Sequence, residues 1–465
     1  MTPQPRRSAD QPAPNRGEPR ELTLAVGAPA HGGHCVARPV DDPGGRVIFV
    51  RHALPGETVR ARLTEMTSRT WRADAVEILQ ASPDRVESVC PEAGPGGVGG
   101  GELAHVALDA QRTWKRWVLA DCLRRIGGQE VADAVAALPE ASAAAAVPIE
   151  PMPTDAAAQA SSSARRRALA GTATRTRVSL TVGEDGRPGM HAFRSGTVLP
   201  LRRLPLAVDA ITEIGLLERS RWRAHYRPGM RIEAIAPSGG EPVVLLDERL
   251  LTAQARSTGR RRVREVVDAS ALGLGELTYS VHADGFWQVH VDAPRVLVER
   301  VVRGALGEEL EGAAGSRVLE LYSGAGLFTL PLAALVGSGG EVVSLEGNEQ
   351  AVRDARRTLH DQPSARLASG RVSARSVREL AGSLTGGRPD VVVLDPPRQG
   401  AGREVIEAVG ALGAERIVLV ACDPAALARD LGTLLRSGYA LGSMSALDMF
   451  PHTHHFETIA VLERS

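Results

Sequence analysis

The sequence predicts an α/β protein in which a doubly wound parallel sheet follows a small β-barrel and a mainly β central region. Three observations carry that reading. At 465 residues the chain exceeds what one core of about 100–200 residues organises, so two or three domains are expected. Beyond Asp292 continuous apolar strands alternate with amphipathic helices, the pattern of a parallel sheet covered on both faces. Between Glu21 and Leu79 short β-type runs are instead punctuated by Gly and Pro, as in a small barrel.

Taken in order, residues 1–20 are rich in Pro and Arg, lack an apolar stretch, and read as a disordered leader, not a secretory signal. The barrel spans 21–80, with strand patterns at 22–26, 46–50, 57–63 and 73–79 separated by Gly27, Gly32-Gly33, Pro43-Gly44-Gly45 and Pro55-Gly56. In the central region, 81–279, a helix over 111–126 carries Trp114, Trp117, Val118, Cys122 and Ile126 at helical spacing and is expected to pack on the α/β domain. Gly127-Gly128 stops it. The Ala/Pro/Ser-rich stretch 135–163 reads as a flexible linker. From 280 to 465 the order is helix 296–306, strand 317–321, a Gly-rich turn, helix 328–336, strand 341–345, helix 350–359, strand 391–394, helix 403–412 and strand 416–420. Ligands of such sheets sit at the carboxyl ends of the strands.

With 43% hydrophobic and 24% charged residues the chain has ordinary globular composition, and no run of about 18 uncharged apolar residues occurs. A cytoplasmic, membrane-free protein is expected, and a monomer. Cys35, Cys90, Cys122 and Cys422 lie far apart without a CxxC, so neither a disulfide framework nor a zinc knuckle is indicated. The 55 basic and 55 acidic residues balance, which alone argues against a nucleic-acid binder. Their distribution argues otherwise. Every basic residue but Lys115 is arginine, and from Arg165 to Arg231 fourteen Arg face five acidic residues, a local excess suited to phosphate. A solvated face in an arginine-rich chain is the alternative.

The chemistry-bearing residues follow the strands. In Glu320-Leu321-Tyr322-Ser323-Gly324-Ala325-Gly326-Leu327-Phe328 two glycines allow close backbone approach to a ligand, although a tight turn would use them equally. The next strand ends in Glu346, about 20 residues on, where a carboxylate can accept both ribose hydroxyls. Together they suggest an adenosine cofactor, and Thr329 in place of a third glycine favours S-adenosylmethionine over a dinucleotide. Asp395-Pro396-Pro397-Arg398 holds an Asp at the ligand edge by a rigid extended turn. That motif alone also suits methylation of an exocyclic amine, or a mere strand terminator. Cys422 follows an apolar strand and precedes Asp423-Pro424, which places a thiol at the same edge. Uracil C5 is a poor nucleophile until a thiolate adds to C6, and its proton must afterwards pass to a base, for which Glu457 is the candidate. The segment Asp448 to Glu457 reads as a strand, and a metal role for its His452, His454 and His455 is less favoured than a structural one.

These motifs, with Gly285-Phe286-Trp287-Gln288-Val289 and Arg429-Asp430, resemble the S-adenosylmethionine-dependent RNA 5-methyluridine methyltransferases over nearly the whole chain. The resemblance implies a TRAM-type OB barrel, an RNA-binding central domain and a Rossmann-like methyltransferase domain. It further implies cofactor binding by Gln288, Tyr322, Glu346 and Asp395, a nucleophile at Cys422, a general base at Glu457, and Phe286 near the target base. The substrate would be a uridine of rRNA or tRNA, flipped out of its stack.

Two departures stand out. Many such proteins carry a four-cysteine iron–sulfur site, and the matching positions here are Cys90, Val98, Gly101 and Leu204, so no cluster is expected and the protein should be colourless and free of iron. The usual Asn residues after the nucleophile and two positions after the glutamine are Asp423 and His290, and Asp423 is expected to raise the pKa of the neighbouring thiol. A non-catalytic RNA-binding protein retaining the fold, and a methyltransferase of small molecules or amines, are the competing readings.

Overall fold

In the computed structural model the described residues are 20–141, 146–310 and 313–465. Residues 1–19 of the expected leader and 142–145 of the expected linker lie outside them. The described residues form two units, 20–30 with 34–83, and 31–33 with 84–465.

In the first unit β1 (Glu21–Ala30), β2 (His34–Pro39), β3 (Ile48–Arg51), β4 (Thr58–Met66) and β5 (Trp71–Gln80) close into a barrel in the order β1-β2-β3-β5-β4. Alternation drives it: Leu24, Val59, Ala61, Ala73 and Ala75 point inward while Arg60 and Arg62 face water. Arg51 and Asp74 are paired across parallel β3 and β5 and form a buried two-pronged ion pair, at 2.9 and 3.0 Å.

The second unit opens with α1 (Leu108–Cys122), which runs into a π-helical turn ending at Gly127, and α2 (Gln129–Ala136). Leu119 and Leu123 join the buried cluster that holds Leu394, Leu419 and Leu427, so the helix does pack into the α/β core. The stretch expected as a linker is largely built: β6 (Ile149–Pro151) adds to the main sheet, and α3 (Pro153–Gln159) and α4 (Ala164–Ala168) follow. Its small residues suit close packing, and composition alone does not separate that from flexibility. Next come β7 (Arg177–Val182), β8 (Pro188–His191), β9 (Val198–Pro200), the short α5 (Asp209–Thr212) and α6 (Ser220–Arg223), β10 (Arg231–Ile235), β11 (Val243–Leu246) and β12 (Arg249–Thr252). These strands form an antiparallel sheet, β12-β11-β10-β7-β8-β9, over a core including Leu180, Trp222 and Ile232. The hairpin β13 (Arg262–Asp268) and β14 (Glu276–His282) leads to α7 (Ala293–Leu306).

The remaining elements are β15 (Arg317–Leu321), α8 (Thr329–Val336), β16 (Glu341–Glu346), α9 (Glu349–Thr358), β17 (Ala365–Ser369), α10 (Ala374–Gly382), β18 (Val391–Leu394), α11 (Arg403–Ala411), β19 (Arg416–Ala421), α12 (Pro424–Arg436), β20 (Tyr439–Asp448) and β21 (Glu457–Arg464). The sheet order is β17-β16-β15-β18-β19-β21-β20-β6. Strands β15 to β19 are mutually parallel as expected, whereas β21 runs antiparallel between β19 and β20. The histidine-rich segment is not a strand. Residues 449–456 form the turn between β20 and β21, because Pro451 lacks a ladder donor and His452 turns the chain at φ +66°.

Candidate active site

Register brings the expected residues to one edge. Leu321 pairs with both Leu345 and Leu394, and Leu394 with Leu419, so Tyr322, Glu346 and Asp395 emerge together where the parallel strands end. Antiparallel β21 pairs Thr458 with Ala421, so Glu457, just before Thr458, and Cys422, just after Ala421, lie at the same end of that ladder. The neighbouring β20 pairs Leu447 with Glu457 from the other side.

Cys422 is half-buried, and Glu457 is buried with Oε1 receiving no hydrogen bond from the described residues. Burial pushes the Cys422 thiol up to about 12, reinforced by the charges of Glu457 and Asp395 and opposed by Arg398. Burial raises the Asp395 carboxyl to about 7. Glu457 is raised well above the usual carboxylate range by burial first and by Asp395 second. Asp423 does not act as expected. Its Oδ1 accepts the Ala425 and Ala426 N–H groups at 3.0 and 2.9 Å and caps α12, so its charge is directed at the helix N-terminus and the anions that raise the thiol are Glu457 and Asp395.

The Gly-rich turn is shaped for a ligand. Tyr322 and Gly324 adopt φ +64° and +55°, and a Cβ added to Gly324 would meet nothing within 4 Å, whereas one on Gly326 would touch Ala355 at 3.4 Å. Gly326 thus serves helix packing and Gly324 leaves open space. Glu346 borders that space: Oε2 accepts the Gly324 N–H at 2.9 Å and Oε1 the Asn348 N–H at 2.6 Å, which fixes the carboxylate while each oxygen keeps a further lone pair for a ribose hydroxyl. An open glycine turn with a braced carboxylate fits the adenosine part of S-adenosylmethionine.

Gln288 is buried in the loop between β14 and α7, and Phe286 in the same loop is 75% exposed. The loop is held from the central sheet, since Arg177 donates to the Ala283 and Gly285 carbonyls at 3.2 and 2.9 Å and Thr176 to the Val289 carbonyl. His290 is a buried anchor: Nε2 lies 3.1 Å from Asp155 Oδ2, and Nδ1 accepts the Asp292 N–H. Reading residue by residue missed two buried groups. Glu320 accepts from Thr329 at 2.5 Å and Ser344 at 2.7 Å and is raised by burial to about 7. Lys115 bonds Asp448, 333 positions away, and its only advance mark was being the sole lysine.

Cys90, Val98, Gly101 and Leu204 do converge, on one cavity of about 260 Å3. Only Cys90 offers a thiol, and a Cβ on Gly101 would already sit 3.1 Å from Cys90 Cβ, so these residues do not fit a cysteine-ligated cluster. Among the described residues no group of three or more His, Cys, Asp or Glu could hold a metal, the His452 to Glu457 segment included.

Comparison with known proteins matches residues 266–465 to the tRNA (uracil-5-)-methyltransferase family model and 18–76 to the TRAM domain. An RNA methyltransferase of Streptomyces avermitilis, described as uncharacterized, is 39% identical over 95% of this chain and 98% of its own. A 23S rRNA (uracil(1939)-C(5))-methyltransferase RlmD of Acinetobacter baumannii is 30% identical over 94% and 92%. The Pyrococcus abyssi tRNA (uracil-54, C5)-methyltransferase, solved with S-adenosyl-L-homocysteine, superposes with a TM-score of 0.62 at 20% identity over 94% of this chain and 99% of its own, a likeness of fold.

Proposed function

This chain belongs to the S-adenosylmethionine-dependent RNA (uracil-5-)-methyltransferase family, and we propose that it methylates C5 of a uridine in structured RNA through a covalent bond between Cys422 and C6. The 23S rRNA methyltransferases, at 28–30% identity, are nearer in sequence than the tRNA enzyme at 20% that spans as much of the chain, which favours a 23S rRNA uridine over a tRNA one. The observation that carries the covalent reading is that Cys422 and Glu457 flank the last pair of one ladder, Ala421 with Thr458, close enough for the Glu457 charge to act on the thiol, while the buried Oε1 of Glu457 has no partner among the described residues.

Glu346, Tyr322, Gln288 and Asp395 would hold the cofactor, and exposed Phe286 would stack on the target base or its neighbour. Cys422, its proton lost to solvent, adds to C6 and moves the C5=C6 electron pair to C5 and the O4 carbonyl. When bound, S-adenosylmethionine supplies an electrophilic methyl group to C5 and leaves as the neutral thioether. Glu457 then accepts the C5 proton, the C–H electron pair re-forms C5=C6, and the thiolate departs. A carboxyl with a raised pKa is a stronger base once ionised, so the environment of Glu457 suits that role.

Cys422→Ala should abolish methylation and any covalent protein–RNA species. Glu457→Gln keeps the shape and removes the base, so a denaturant-stable adduct containing RNA and the transferred methyl should accumulate on gels. Turnover by Cys422→Ala would overturn the covalent route and favour chemistry on an exocyclic amine. Mapping the 5-methyluridine missing from the RNA of a deletion strain tests the choice of 23S rRNA.

A further inference from the structure

We propose that helix α1, through Lys115 and Gln111, positions Glu457 for removal of the C5 proton; this rests on the reading of Glu457 as the base. Glu457 begins β21 directly after the 449–456 turn. With Oε1 unpartnered among the described residues, its carboxylate takes its place from the backbone that delivers it. That backbone is gripped from α1. Lys115, the only lysine in the chain and wholly buried, donates from Nζ to the Asp448 carboxylate at the end of β20 and to the Phe450 carbonyl at 3.1 Å. One helical turn earlier, the equally buried Gln111 accepts the His452 N–H on Oε1 at 2.7 Å, while its Nε2 donates to the Val106 carbonyl at 2.8 Å and lies 3.2 Å from His452 Nδ1.

The grip closes on the residue that needs it. His452 holds φ +66°, a conformation that a residue with a Cβ keeps only where its surroundings impose it. Leu103 donates to its carbonyl at 2.9 Å, and Gly171 packs so closely that an added Cβ would lie 2.9 Å from His452 Nε2 and 3.0 Å from Pro451 Cβ. The chain's one lysine thus sits at the enclosed point between Asp448 and Phe450, where an ammonium reaches both the carboxylate and the carbonyl. Buried ion pairs stabilise little relative to apolar replacements, so this one is better explained by the geometry it imposes. The step it serves is the transfer of the C5 proton to the Glu457 carboxylate, with C5=C6 re-formed and the C6–S bond broken.

Lys115→Met and Gln111→Met test this with two RNAs. On RNA carrying 5-fluorouridine, whose fluorine cannot leave as a proton does, wild type and both variants should form the covalent methylated adduct at rates within about twofold. On ordinary RNA both variants should release product at least tenfold more slowly and accumulate the adduct, with calorimetric affinity for S-adenosylhomocysteine unchanged. Release at the wild-type rate, or equal slowing of adduct formation and release, would overturn the proposal. Loss of folding in Lys115→Met leaves Gln111→Met decisive, and loss in both would assign the grip to stability and also overturn it. A wild type that forms no adduct with the fluorinated RNA would overturn the covalent reading itself.

Discussion

Cys422 stands where burial, Glu457 and Asp395 all disfavour its thiolate, with a thiol pushed up to about 12. In the free protein only a minute fraction is then ionised near neutrality, and each pH unit raises that fraction about tenfold. Alkylation of Cys422 by iodoacetamide should therefore climb with unit slope from pH 7 to 10 without a plateau, and Glu457→Gln, by removing the larger of the two charges, should raise the rate at pH 10. A plateau below pH 8 would show a thiol activated before RNA binds. Because Glu457 is also raised and must be ionised to take the C5 proton after methyl transfer, kcat should increase through the same alkaline range. Glu346→Ala should weaken cofactor binding by roughly 1.5–3 kcal/mol, the scale of charge-assisted hydrogen bonds, and calorimetry showing equal affinity would remove it from the ribose site. Cys422, Glu346 and Asp395 were legible because each follows an apolar run that can only be a buried strand. Lys115 was not, because its partner lies 333 positions away, and the charge of Asp423 was misjudged because a capping geometry leaves no mark in composition.

At the scale of elements, buried parallel strands announce themselves: β15 and β18 span the residues expected, and β16 and β19 run one residue further. Edge strands do not. β17 is half-exposed along its length and β6 is three residues long within an Ala/Pro-rich stretch, so neither shows a continuous apolar run. The turn after β15 shows what the glycine pattern encodes. Gly324 lies at φ +55° with open space beside it, so a side chain there meets no protein atom within 4 Å but carries the left-handed strain of about 1 kcal/mol and projects into the space proposed for the cofactor. Gly324→Val should lower stability by about 1–2 kcal/mol in urea denaturation, since β-branching adds to that strain, and should weaken S-adenosylhomocysteine binding more than tenfold. Unchanged affinity with the same stability loss would mean that the space beside Gly324 is not where the ligand lies.

Across the whole molecule, the boundary expected near residue 280 does not separate units, because Arg177 and Thr176 of the central region hold the loop that carries Gln288, and β6 joins the main sheet. Such long-range pairings have no local signature. The same folding redraws the arginine-rich surface. Of its fourteen arginines, Arg175 turns inward to the Gly100 carbonyl and Arg177 to the Ala283 and Gly285 carbonyls and Glu265, so neither is available to phosphate. Arg165, Arg166 and Arg167 are exposed on α4, whose first turn Ser163 caps, but Arg167 already donates to the Ser161 and Ser162 carbonyls at 2.8 and 2.9 Å. Within the Arg165 to Arg167 run, the phosphate contacts should therefore come chiefly from Arg165 and Arg166. Each phosphate neutralised contributes about 0.7–0.9 to the slope of log K against log salt, so replacing both with Ser should weaken RNA binding and flatten the slope by about 1.4–1.8. Affinity for S-adenosylhomocysteine should not change, since α4 lies outside the cofactor turn. Fluorescence titrations with a 23S rRNA fragment from 50 to 300 mM salt would read both effects, and an unchanged slope would place the RNA backbone elsewhere on the protein.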